Sequence, residues 1–80
     1  MVEAYVLIQT EVGRAAIVAE QLSTLPGVTS AEHVTGPYDV ILRVTAATLD
    51  SLRSEVLPGV QTVAAITRTL TCPLAGPAHP

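Results

Sequence analysis

Leu25-Pro26-Gly27-Val28 recurs as Leu57-Pro58-Gly59-Val60, and the two copies divide the chain into matching halves. An internal repeat of this kind is read first, because it marks the unit from which a fold is built. Each copy follows a segment of helical character and precedes a β-branched run. The tetrapeptide therefore reads as a helix stop: Gly takes the left-handed conformation that Cβ-bearing residues resist, and Pro cannot continue the hydrogen-bond ladder.

Upstream of each stop a helix is expected, and upstream of each helix a strand. Residues 4–8 (Ala-Tyr-Val-Leu-Ile) and 40–44 (Val-Ile-Leu-Arg-Val) are nearly continuous apolar runs, as suits central strands buried on two faces. The first helix is expected over residues 13–25, with Val12, Ala15, Ala19 and Leu22 forming its apolar stripe. The second should begin near Thr48, whose hydroxyl can cap the first turn, with Leu49, Leu52 and Val56 on one face. Asp50 adds a carboxylate near the positive end of that helix. After each stop comes a more polar run, residues 28–34 and 60–70, which read as outer strands.

The resulting order is β-α-β, a turn at Gly36 and Pro37, and β-α-β again. It predicts an α+β, ferredoxin-like βαββαβ fold, a four-stranded antiparallel sheet with two helices on one face. Residues 1–71 would form this domain, and 72–80, with Pro73, Pro77 and Pro80, a mobile tail. Along the first strand Tyr5 and Leu7 face away from Ala4, Val6 and Ile8, and both sets are largely apolar. Helices on one side leave the other side bare, so Tyr5, Leu7 and Ile41 are expected on an exposed apolar patch through which two copies dimerise.

Composition narrows the function. Eighty residues hold one small core, and with 49% apolar but only 14% charged residues some of that surface should meet another subunit. All four basic residues are arginines (Arg14, Arg43, Arg53, Arg68), outnumbered by seven acids to a net charge of -3. There is no basic stripe for phosphates, and Tyr5 and Tyr38 are the only aromatics, so no direct nucleic-acid binding is expected. No apolar run is long enough to span a bilayer. Glu3 stands where a signal peptide would be positive, which predicts a cytoplasmic protein.

Candidates for chemistry are few. Cys72 is the sole cysteine and reads as a small apolar residue, so neither a disulfide nor a zinc site is expected. His33 and Glu32 are strand neighbours that point to opposite faces and cannot converge on one atom. No phosphate loop or hydrolase motif occurs. No cofactor, no metal and no catalytic residue is expected. What remains is Val34-Thr35-Gly36-Pro37-Tyr38-Asp39, a hairpin turn in which Gly36 and Pro37 make the bend and Asp39 caps the turn amides.

In its order of motifs the chain resembles the ligand-binding domain of the leucine- and asparagine-responsive (Lrp/AsnC) regulators, the regulation-of-amino-acid-metabolism domain. The motifs are the opening strand at 4–8, the two Leu-Pro-Gly-Val links, and Thr35-Gly36-Pro37-Tyr38-Asp39 running into residues 40–44. The resemblance implies a ferredoxin-like fold that dimerises through its sheets and assembles into rings, commonly octamers of four dimers, with amino-acid effectors in clefts between dimers. It carries the effector loop onto Gly36, Pro37, Tyr38 and Asp39 and the facing wall onto Thr67, Arg68 and Thr69. Pro37, which has no N–H, stands where relatives often carry an acidic or polar residue. Family members begin with a helix-turn-helix domain, whereas here the sensing domain starts after Met1, so the expected role is effector binding and assembly with itself or with full-length regulators. Two alternatives are a dimeric α+β barrel enzyme resembling small monooxygenases and isomerases, and an assembly module without a ligand.

Overall fold

The computed structural model describes residues 1–74. The chain forms β1 (Val2–Thr10), α1 (Ala15–Ser23), β2 (Val28–His33) and β3 (Val40–Ala46). It continues through α2 (Leu49–Ser51), a π-helical turn (Leu52–Val56) and α3 (Leu57–Gln61), which follow one another without a break, to β4 (Ile66–Pro73). The four strands form one sheet in the order β2-β3-β1-β4, and every neighbouring pair is antiparallel. This is the ferredoxin-like arrangement, with the two apolar strands central and the two polar ones at the edges.

Alternation along the central strands decides where the core lies. Ala4, Val6 and Ile8 on β1 and Val40, Leu42 and Val44 on β3 are wholly buried. They pack against Val18, Ala19 and Leu22 of α1 and against Leu52, Val56 and Val60 of the second helical arm. Each valine, leucine or isoleucine among them contributes about 1.5–3 kcal/mol on leaving water. The helices therefore cover one face of the sheet only.

The helix boundaries differ from the expected ones for identifiable reasons. Helix α1 begins at Ala15, because Gly13 has φ +79° and cannot belong to a right-handed helix. Val12 is consequently outside the helix and fully exposed, and Val18 takes the place it was expected to hold in the stripe. At the second helix the Thr48 cap is as expected. Thr48 Oγ1 accepts from the Ser51 N–H at 3.1 Å, and Ser51 Oγ accepts from the Thr48 N–H at 3.0 Å. Leu49 remains partly exposed, while Leu52 and Val56 are buried.

The repeat itself is broken at the second copy. Leu57, Pro58, Gly59 and Val60 do not end the helix but lie within α3. Pro58 has no amide to donate, and in a regular α-helix its ring would press on the carbonyl four residues earlier. The chain widens just before it: the Leu57 N–H donates to the Leu52 carbonyl, a π-type bond that loosens the spiral where the proline enters. The last strand accordingly starts at Ile66 rather than near residue 60. It runs past the expected boundary at 71, since Cys72 and Pro73 pair with Tyr5 and Ala4. The remainder of the expected tail, 75–80, lies outside the described residues.

Candidate functional site

Among the described residues, nothing covers the face of the sheet opposite the helices. The register aligns Glu32, Ile41, Leu7 and Leu70 in one row across the four strands. A second row sets Arg43 beside Tyr5 and Tyr5 beside Cys72. Leu70 is 47% and Tyr5 37% exposed, whereas the inward residues of β1, Ala4, Val6 and Ile8, are fully buried. Tyr5, Leu7 and Ile41 thus share this open face, as the alternation predicted. Arg43 spans part of it: its Nε donates to Glu3 Oε1 at 2.9 Å, a second guanidinium nitrogen donates to the same oxygen, and its Cζ lies 5.6 Å from the Tyr5 ring centroid. Glu3 holds the Arg43 guanidinium above its usual pKa, first through the hydrogen bond and then through charge.

The loop between β2 and β3 is pinned to the end of β1. The Asp39 N–H donates to the Ile8 carbonyl at 2.8 Å, and the Val34 N–H donates to the Asp39 carbonyl at 2.9 Å. Asp39 Oδ2 accepts from the Thr10 N–H at 2.9 Å, and among the described residues Oδ1 has no partner. Gln9 Nε2 donates to the Pro37 carbonyl at 2.9 Å. Gly36, at φ +139°, faces open space, and among the described residues neither its amide nor that of Tyr38 has a hydrogen-bond partner. The sequence identified the loop but not Gln9 and Thr10, which hold it; polar residues at a strand end carry no local signature.

Residues 67–69 lie across β1 from this loop, so one subunit does not close them into a single pocket. Thr67 Oγ1 donates to the Gln9 carbonyl at 3.2 Å, at the irregularity where β1 and β4 shift register. Thr69 stands on the helix side, its hydroxyl accepting from Gln61 Nε2 at 3.2 Å. Arg68 is opposite Gln9 and lies on the open face. A hollow of about 420 Å³ does reach Asp39, but it is bounded by Thr10, Glu11, Gly13, Ala16 and His33. Glu32 and His33 diverge as expected, the former opposite Ile41 on the open face and the latter opposite Val40. Among the described residues no three of His, Cys, Asp and Glu cluster to hold a metal ion.

Comparison with known proteins decides the family. The model of the Lrp/AsnC ligand-binding domain matches residues 3–74. The chain belongs to the Lrp/AsnC ligand-binding domain family. The crystal structure of TTHA0845 from Thermus thermophilus superposes with a TM-score of 0.87 at 32% identity, over 100% of this chain and 99% of that one. E. coli AsnC gives 0.85 at 23% identity over 98% of this chain and 53% of its own, so this Lrp/AsnC domain spans about half of that regulator. The transcriptional regulator NMB0573 from Neisseria meningitidis, crystallised as an L-Met complex, gives 0.79 at 15% identity, over 98% of this chain and 52% of its own. At such identities the last two speak for the fold alone. No curated protein sequence matches.

Proposed function

We propose that this Lrp/AsnC domain is a cytoplasmic, non-enzymatic sensor that binds an amino acid or related small metabolite and couples binding to self-assembly. The carrying observation is the pinned loop at residues 34–39, which among the described residues has two amides without a partner, on Gly36 and Tyr38, and next in sequence a carboxylate with one oxygen unbonded. A zwitterion needs donors for its carboxylate and an acceptor for its ammonium, and charge-assisted bonds of this type are the strong ones. The amides would serve the carboxylate and Asp39 Oδ1 the ammonium. NMB0573, whose fold this domain shares, was crystallised as an L-Met complex.

One subunit leaves the pocket unfinished, so the facing wall around Thr67 and Thr69 would come from a neighbour. Two copies would join through the open face at Tyr5, Leu7 and Ile41, burying on the order of 800 Å² on each. Four such dimers would close an octameric ring with effector clefts between dimers, and full-length regulators of the family could enter the same ring.

The test is a thermal-shift and native mass-spectrometry screen against the amino acids. A binder at a hundred times its Kd should stabilise the protein by about 2.7 kcal/mol. Asp39→Asn keeps an acceptor for the Thr10 N–H but removes the charge, and should weaken binding about 10- to 100-fold while leaving the fold intact. A protein whose stability and assembly ignore the whole panel would overturn the sensing reading.

A further inference from the structure

The open face has a charge at each rim. Glu32 lies on edge strand β2 and Arg68 on edge strand β4, with Ile41, Leu7 and Leu70 between. Both charged residues are exposed, and among the described residues neither takes part in an ion pair; Glu3 and Arg43 form the pair found there. Their signs are opposite and their positions are at opposite edges. That asymmetry limits how two copies can stack.

A face-to-face dimer is isologous, with its two-fold axis in the plane between the sheets. If the axis crosses the strands midway between the rows of Glu32 and Arg68, β2 lies over β2 and β4 over β4, and Glu32 comes within one same-face step of the partner's Glu32 and Arg68 within one step of the partner's Arg68. If it runs along the strands, β2 of one protomer lies over β4 of the other. Glu32 then stands above the partner's Leu70, and the partner's Arg68 is one same-face step further along the strand. That step is roughly 7 Å and the gap between packed sheets about 10 Å, both within the combined reach of a glutamate and an arginine. In the same orientation Arg43 lies over the partner's Tyr5, adding to the contact it makes with its own.

We infer that Glu32 of each protomer pairs with the partner's Arg68 at both rims of the sheet-to-sheet dimer, which sets its two-fold axis along the strands. This rests on the dimer proposed above. It assigns Arg68 to the subunit interface rather than to the effector cleft. The rim pairs select one stacking by excluding the like-charged one, while the aliphatic row between them drives association.

Charge reversal tests the pair. Glu32→Arg and Arg68→Glu each replace two attractive contacts per dimer by two repulsive ones and should each weaken dimerisation about tenfold in sedimentation equilibrium at low salt. The double variant, with the charges exchanged, should return to within a few-fold of the original affinity. Mixing the two single variants should give predominantly heterodimers in native mass spectrometry, because every rim contact in the mixed species is attractive. Circular dichroism checks that each variant is folded. Single variants that dimerise normally, or losses that neither the exchange nor the mixture repairs, would overturn the pairing while the sheet-to-sheet dimer stands. So would an Arg68→Glu protein that dimerises normally but no longer responds to an amino acid, since that outcome returns Arg68 to the cleft. An unaltered protein that stays monomeric at tens of micromolar removes the dimer itself and the pairing with it.

Discussion

The two Leu-Pro-Gly-Val segments have the same sequence and opposite structures. In the first, Gly27 has φ +87° and the chain leaves α1 to enter β2. In the second, the same four residues are part of a helix, and Gly59 is not among the glycines with positive φ. What differs is the surroundings. A Cβ on Gly27 would come within 2.7 Å of Val56 Cγ2 and 3.2 Å of the Thr45 carbonyl oxygen, while one on Gly59 would meet nothing nearer than Leu25 Cδ1 at 3.8 Å. The Gly27 carbonyl accepts the Thr45 N–H at 2.8 Å, so the first stop is fastened to β3. Local propensity offers a stop at both places, and tertiary contact accepts it at one.

The largest expected effect is therefore at the first copy. Gly27→Ala must adopt a left-handed conformation at about 1–2 kcal/mol and displace Val56 at about another 1–3 kcal/mol. A loss of about 2–5 kcal/mol should appear as a lower urea midpoint. Repeating the substitution in a Val56→Ala background removes the collision with the side chain and should leave the conformational part and the approach to the Thr45 carbonyl oxygen. Equal losses in both backgrounds would show that the close approach does not matter.

Most of the fold was readable because its signals are collective. The apolar runs at 4–8 and 40–44 are long enough to name the central strands, and the polar interruptions at Thr29, Ser30, Glu32 and Arg68 place their strands at the edges. Errors came where one residue type has two uses. Val12 has the right spacing for the α1 stripe, but Gly13 turns the chain before the helix begins. Val60 looks like the start of a strand and is instead a buried helix residue, because a π-turn lets Pro58 enter the helix. At the candidate site the loop at 34–39 was legible from its turn residues. Its supports, Gln9 and Thr10, act through contacts that only the folded chain brings together.

The two helical segments are also specified at opposite ends. Helix α1 has Arg14 at its N-cap with no side-chain hydrogen bond, and its exit is fixed by Gly27. The second arm has no left-handed glycine at its exit and is fixed at its entry, where Thr48 and Ser51 form a reciprocal capping box. Thr48→Ala should cost about 1 kcal/mol and increase amide exchange in the first turn of that arm. The same substitution at Ser23 or Thr24, at the far end of α1, removes only an exposed hydroxyl bonded to a nearby carbonyl and should fall within about 0.5 kcal/mol.

The smallest effect is expected at Gly59, and its sign is the sharpest test of the comparison. A glycine inside a helix costs roughly 0.5–1 kcal/mol relative to alanine, since the unfolded chain is freer. Nothing in the folded chain offsets that cost, because the added methyl group would rest at ordinary contact distance on Leu25, the first residue of the other copy. Gly59→Ala should raise the urea midpoint by the equivalent of about 0.5–1 kcal/mol, so that one substitution in one tetrapeptide destabilises at its first occurrence and stabilises at its second. A loss at Gly59 would mean that the second copy visits its stop conformation, and that the π-turn and the helix beyond it hold Leu57 to Val60 only weakly.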